Sequence, residues 1–275
     1  MSGGQEALRA AMAAGEGQGV APRDAKRLLA HAAGVDAARL MALGAAELSA
    51  DVMARYGQYL ARRATGEPVS KITGKRAFWN HEFLVTADVL DPRADTETLV
   101  AKALERDFTR VLDLGTGTGC ILLSLLAERA QASGMGVDIS PAALQVAREN
   151  AARTGVGARA DLRLSDWFDA VEGRFDLITA NPPYITEAEM ADLSPEVRDH
   201  DPHLALTPGG DGLEPYRIIA RAAPAHLAPQ GRILVEMGWR QGPQVAQIFA
   251  QAGFRDIETV QDFEGRDRVT CAALG

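Results

Sequence analysis

The spacing of apolar positions divides the chain into three stretches. Over residues 1–70 the sequence is Ala-rich, and positions such as Ala25, Leu28, Leu29 and Ala32, then Leu40, Met41 and Leu43, recur at helical intervals. This spacing predicts a small helical domain. Asp24 after Pro22 marks one helix start, and Gly34 and Gly44 fall where helices should end. Over 71–92 the pattern becomes alternating, in Ala77-Phe78-Trp79 and His81-Glu82-Phe83-Leu84-Val85, which reads as a short hairpin serving as a linker. The third domain spans 93–275, and Asp91-Pro92-Arg93-Ala94-Asp95-Thr96-Glu97 reads as a loop leading into its first helix, with Asp95 or Thr96 as a cap before the apolar positions Leu99, Val100, Ala103 and Leu104.

Beyond residue 108, apolar runs of strand length alternate with helical segments. Strands are expected at 110–114, 135–138, 160–164, 175–180, 232–237, 257–261 and 268–272, and helices at 120–129, 141–154, 213–227 and 243–252. Such alternation predicts an α/β fold with a doubly wound sheet, whose ligand crevice lies at the carboxyl ends of the central strands. No helix separates the last two strands, so they should pair as an antiparallel hairpin around Gly265.

Composition narrows the setting. The 275 residues are 47% apolar and 24% charged, enough to bury a full core. No apolar run approaches the ~18 residues of a membrane span, and Met1-Ser2-Gly3-Gly4-Gln5-Glu6 lacks signal-peptide character, so cytoplasmic residence and no membrane partner are expected. Gly3-Gly4-Gln5 is expected to lie in a disordered terminus. Cys120 and Cys271 read as separate reduced thiols, and the five histidines form no metal-ligand set. A net charge of -8 disfavours broad phosphate neutralisation, so no direct nucleic-acid partner is expected.

Two stretches carry candidate chemistry. The expected strand at 175–180 runs into Asn181-Pro182-Pro183-Tyr184, where consecutive prolines stop the strand and leave carbonyls outside any ladder. The Asn181 side-chain oxygen and the neighbouring carbonyls form a preset row of acceptors suited to a planar NH2 group, which the Tyr184 ring could cover. Asp113-Leu114-Gly115-Thr116-Gly117-Thr118-Gly119 ends the strand at 110–114 and opens a helix. Its glycines let the backbone turn sharply and approach a ligand. The third glycine comes one residue too early for a dinucleotide fingerprint, and no Lys-Ser/Thr follows as in a phosphate-binding loop. Asp138 stands where an acid would receive a ribose diol. A glycine loop and acid without phosphate-binding features point to a nucleoside ligand, with S-adenosylmethionine the obvious one. Trp167 could lie along its adenine, with Asp166 bonding the amino group. Asn181 closes the same crevice.

Together, 113–119, Asp138, Asn181-Pro182-Pro183-Tyr184-Ile185, Asp201-Pro202-His203-Leu204-Ala205-Leu206, Gly209-Gly210-Asp211-Gly212-Leu213 and the Asp262, Gly265, Asp267-Arg268 group resemble the HemK-type family of protein glutamine methyltransferases. The resemblance spans nearly the whole chain. It implies a Rossmann-like class I methyltransferase with a seven-stranded sheet, a small N-terminal helical domain and a hairpin linker. It also implies S-adenosylmethionine as cofactor, with S-adenosylhomocysteine as product, and peptide-chain release factors as protein substrates docked by the helical domain. Gly115, Thr116, Gly117, Thr118, Gly119, Asp138, Asp166, Trp167 and Asn181 become cofactor candidates. Asn181, Pro182, Pro183 and Tyr184 become substrate contacts, with Asn181, Pro182 and Tyr184 catalytic. The family usually carries an Ile-Pro-Arg-Pro-Glu-Thr-Glu-like loop where this chain has residues 91–97, lacking an apolar residue and one proline.

A glutamine amide nitrogen is a poor nucleophile because its lone pair is delocalised. Hydrogen bonds from its two N–H groups to Asn181 Oδ1 and the Pro182 carbonyl would hold the amide and favour a pyramidal nitrogen without an acid or base. Other readings are a methyltransferase for another protein glutamine, such as one in a ribosomal protein, one for an exocyclic amino group of a nucleic-acid base, and a cofactor-binding regulator without turnover.

Overall fold

A computed structural model describes residues 3–43 and 46–274. The expected helix stop at Gly44 lies outside the described residues. The chain forms two compact units, Met1–Gly74 with Pro195–His200, and Lys75–Ser194 with Asp201–Gly275.

The first unit is helical, with helices Gly3–Gly17, Pro22–Ala33, Ala37–Leu40, Ala50–Ala64 and Val69–Thr73. The positions picked out by helical spacing, Ala25, Leu28, Leu29 and Ala32, are buried against Tyr56 and Leu60. The Tyr56 hydroxyl, inside this core, donates to the Ala11 carbonyl at 3.2 Å, which satisfies its polar end. Gly34 ends its helix at φ 69°, a left-handed conformation that glycine adopts without strain. Pro22 opens that helix, and Asp24 in its first turn pairs with Arg63 at 2.8 Å. The Gly3-Gly4-Gln5 tripeptide does not lie in a disordered terminus: it starts the Gly3–Gly17 helix, whose Ala-rich body favours that state.

The second unit opens with an antiparallel hairpin of β1 (Lys75–Phe78) and β2 (His81–Leu84). Phe78 and Phe83 are buried in this unit's core, so the hairpin belongs to the sheet unit. Its main sheet contains β3 (Arg110–Leu114), β4 (Ser133–Asp138), β5 (Ala160–Leu164), β6 (Phe175–Ala180), β7 (Leu227–Glu236), β8 (Phe254–Gln261) and β9 (Asp267–Leu274), in the order β5-β4-β3-β6-β7-β9-β8. The first five pair in parallel, and β9 runs antiparallel between β7 and β8. β7 begins at Leu227 rather than at 232, because its pairing with β6 continues across an irregularity to Phe175.

Successive residues of a strand face opposite sides of the sheet. Val111 and Leu177 therefore pack with the helices Glu97–Leu104 and Cys120–Glu128, while Leu112 and Ile178 pack with Glu214–His226 and Gly242–Gln251. Both faces are covered, which is why the central strands read as unbroken apolar runs. No helix of the described residues is long and apolar enough to cross a membrane.

Candidate active site

The parallel strands β3, β4, β5 and β6 end on one side of the sheet. After β3, the loop 115–119 turns with Gly115, Gly117 and Gly119 all at positive φ, from 54° to 80°. At Gly119, which precedes the helix Cys120–Glu128, a Cβ would lie 2.8 Å from a Leu123 methyl. At Gly115 a Cβ would meet no atom within 4 Å, so the absent side chain leaves open space beside the backbone. Asp113 pins the base of the loop: it is fully buried and accepts from the Thr116 hydroxyl at 2.7 Å and from the Thr179 hydroxyl at 2.8 Å. Burial pushes its carboxyl up to about 6, against the opposing pull of these two hydroxyls. Thr118 Oγ1 accepts from the Cys120 amide, and the Thr118 carbonyl accepts from Asn150, which also bonds both polar groups of the Leu84 backbone. The hairpin thereby braces the glycine loop.

Asp138 follows β4. One carboxylate oxygen accepts from the Gly117 amide at 2.8 Å and the other from the Ser140 amide at 2.9 Å. Burial raises its pKa, and those backbone donors act against the rise. Each oxygen keeps a second lone pair to offer a ligand. After β5, Ser165 donates to the Trp167 carbonyl and accepts from the Ala170 amide, closing a turn that holds Trp167 at φ 46°. A bulky residue at positive φ is strained and persists only where its surroundings impose it.

These strand ends line a cavity of about 400 Å³, within the range of small-molecule sites. Gly115, Thr116, Gly117, Thr118, Asp138, Ile139, Asp166, Trp167, Asn181 and Pro183 all contribute to it. Gly119, Pro182 and Tyr184 are not among the lining residues. Arg93 is the one cation among the described lining residues, and Asp201 holds it at 2.6 Å. A carboxylate with spare acceptor sites, an indole wall and an open glycine loop suit S-adenosylmethionine, and a cavity without an uncommitted cation does not suit a phosphate ester. Among the described residues no group of His, Cys, Asp and Glu could hold a metal ion.

Asn181 leaves the end of β6 at the cavity edge. Its Nδ2 donates to the Thr96 hydroxyl at 3.2 Å, and no donor among the described residues pairs with Oδ1. The expected cap is therefore corrected: Thr96 makes no side-chain cap hydrogen bond to the helix Glu97–Leu104, and its hydroxyl meets Asn181 instead. Loop 91–97 is held at several points. Arg76 donates to the Pro92 carbonyl, Glu97 accepts from the Trp79 amide, and Asp95 pairs with Arg268 at 3.1 Å. These contacts take over the fixing that a second proline would give. Tyr184 is half-buried against the core, and its carbonyl accepts from Gln241 Nε2 at 3.0 Å, while Gln241 Oε1 accepts from the Gly238 amide. Gly212, at φ 72°, leaves the room that Tyr184 needs, since a Cβ there would run into the Tyr184 carbonyl.

Two supporting residues had no signal in the sequence, Gln241 and Glu236, and Thr96 was marked there only as a helix cap. Glu236, at the end of β7, is 1% exposed. Burial pushes its carboxyl up to about 7, against hydrogen bonding from Thr96, the charge of Arg268 and hydrogen bonding from Asn181.

The strand order, the glycine loop after β3, the acid after β4 and the cavity they line define a class I S-adenosylmethionine-dependent methyltransferase. Residues 77–210 match the family model described as "Methyltransferase small domain", and residues 6–74 match "PrmC N-terminal domain". The chain is 55% identical over 271 residues to the release factor glutamine methyltransferase of Cereibacter sphaeroides, covering 98% of each chain. It is 45% identical to that of Rhodospirillum rubrum, covering 91% of this chain and 78% of the relative. A methyltransferase structure from Pyrococcus furiosus shares the fold, with a TM-score of 0.56 and 16% identity over 79% of this chain and 98% of the other. The chain belongs to the release factor glutamine methyltransferase family.

Proposed function

We propose that this enzyme methylates the side-chain amide nitrogen (N5) of the glutamine in the Gly-Gly-Gln loop of peptide-chain release factors, using S-adenosylmethionine. The observation that carries this reading is Asn181: its Nδ2 is tied back to Thr96, which leaves Oδ1 to accept from a substrate at the cavity edge.

Asp138 would hold the ribose diol, Trp167 and Asp166 the adenine, and the 115–119 loop the remainder of the cofactor. When bound, S-adenosylmethionine supplies an electrophilic sulfonium methyl and departs as S-adenosylhomocysteine. Asn181 Oδ1 and the Pro182 carbonyl accept from the two N–H groups of the glutamine amide, fixing its plane and drawing the lone pair onto nitrogen. Because both are attached to a proline-stiffened turn, little reorganisation is needed during transfer. Pro183 and Tyr184 complete the substrate contact, and Tyr184 is kept in place by Gln241 and Gly212. As the N–C bond forms the nitrogen gains a positive charge, and its surplus N–H proton is then lost to solvent water at the cavity edge, so the methylated amide ends uncharged. The first helical unit docks the release factor away from the reacting loop.

The test is incubation with S-adenosylmethionine and, in parallel, release factors, ribosomal proteins, RNA and DNA, followed by peptide and nucleoside mass mapping. One methyl on the Gly-Gly-Gln glutamine is expected. Methylation of nucleic acid and of no protein would contradict the reading.

A further inference from the structure

Glu236 sits where a transferase of this kind has no evident use for an acid. It is 1% exposed, and its Oε2 has no hydrogen-bond partner among the described residues. The β6–β7 register sets Ala180 opposite Val235, which brings Glu236 beside Asn181 at the strand ends, and the Thr96 hydroxyl and the Asn181 amide both favour its charged form. Thr96 in turn accepts from Asn181 Nδ2 at 3.2 Å. A hydroxyl has a single proton, so its direction depends on which neighbour can only accept. An ionised carboxylate can only accept. By accepting the Thr96 proton it would turn a Thr96 lone pair toward Asn181, the arrangement in which Asn181 Nδ2 donates to Thr96 and Oδ1 is left to the cavity.

We propose that Glu236 is a positioning residue for methyl transfer, which acts through Thr96 to select the orientation of the Asn181 amide that can receive a substrate N–H. This proposal rests on the glutamine-methylation reading above. The other groups around Glu236 are consistent with a carboxylate that accepts only. From β9, Arg268 brings positive charge but spends its own hydrogen bonds on Asp262 and Asp95, each at 3.1 Å, and on the Met237 carbonyl. From the helix Glu214–His226, the Tyr216 hydroxyl donates to the Glu236 backbone carbonyl at 3.0 Å, leaving the side chain to Thr96 and Asn181. Tyr184, Arg93 and Asp95 share the same electrostatic neighbourhood, as does the Cys120 thiol. Burial holds both tyrosines above their ordinary pKa and pushes Cys120 up to about 12, so they stay neutral.

A pH dependence follows, because burial places the Glu236 transition at about 7. Below it, the protonated acid can donate to Thr96. The Thr96 proton then turns toward Asn181, and the inward orientation of Oδ1 becomes competitive. Above it, the productive orientation prevails.

The experiment follows the Asn181 side-chain amide resonance in 15N-labelled protein from pH 5.5 to 8.5, without substrate and assigned by its loss in Asn181→Ala. Kinetics on a release factor are measured in parallel. The resonance of the unmutated protein is expected to titrate near pH 7, and kcat to fall on the acid side with the same midpoint while KM changes little. In Glu236→Gln both transitions should disappear, with kcat lowered on the order of 10-fold or more. Thr96→Val should behave like Glu236→Gln, the double variant should be no worse than either alone, and Thr96→Ser should restore the profile. A resonance that does not titrate in the unmutated protein, or a profile unchanged in Glu236→Gln and Thr96→Val, would overturn the proposal. Should Glu236→Gln fail to fold, Thr96→Val and Thr96→Ser decide it alone. A titrating resonance with no release factor methylated would leave the positioning role standing and contradict the substrate reading.

Discussion

The acceptors that would grip a glutamine amide consist of one side chain and one backbone carbonyl, and neither needs to change protonation. Their buried support does carry a cost. Glu236 has a folded pKa of about 7 against an ordinary 4.5, and Asp113 about 6 against 3.8. Raised carboxyl pKa values favour the folded state most fully below the unfolded values, and this advantage is lost as pH rises through the folded values. Glu236→Gln removes its share. We expect its unfolding free energy, from urea titration, to exceed that of the unmutated protein above pH 7 by roughly 3 kcal/mol, and the two curves to converge near pH 4.5. A difference that grew toward acid would contradict the assignment. This is the pattern of a site that sacrifices stability for orientation. The acceptor turn, the glycine loop and Asp138 could be read from the sequence because each is local and sits at a strand end. Thr96 and Glu236 could not: Thr96 meets Asn181 across 85 residues of chain, and only the order of β6 and β7 brings Glu236 there.

Among the elements, the turn into the helix Cys120–Glu128 makes a steric demand at its last glycine. Gly119 combines φ 80° with a 2.8 Å approach of Leu123 to a built Cβ. Gly119→Ala should therefore destabilise by roughly 1–3 kcal/mol and weaken S-adenosylmethionine binding, measured by denaturation and by calorimetry; an unperturbed variant would show that the turn tolerates a side chain. Elements with strong periodicity were legible, including the helix at 141–154 and the central parallel strands. The start of β7 was not, because its first residues pair across an irregularity that leaves no apolar alternation. The expected cap at Thr96 failed for a different reason. A hydroxyl beside a helix start can bond either the backbone or a tertiary partner, and here Asn181 takes it. The hairpin was legible as two strands, but its brace on the glycine loop runs through Asn150, whose role no short-range pattern reveals.

At the scale of the molecule, the change from helical to alternating periodicity separates the two units, and the strand-helix alternation gives the doubly wound sheet. The return of Pro195–His200 to the helical unit has no counterpart in the sequence pattern, because it depends on tertiary contacts of a segment with little periodicity. The sheet places four strand ends around one cavity, and the sequence following β6 places an amide-holding turn at its edge. The function of the site therefore turns on where the methyl goes and on what Asn181 does for its transfer. Methyl incorporation into a release factor at saturating S-adenosylmethionine, mapped by peptide mass spectrometry for the unmutated enzyme and Asn181→Ala, tests both. The predicted result is one methyl on the Gly-Gly-Gln glutamine, with a rate on the order of 100-fold lower in the variant and cofactor binding, measured separately, retained. Near-normal transfer by Asn181→Ala, or a methyl on any other residue, would contradict it.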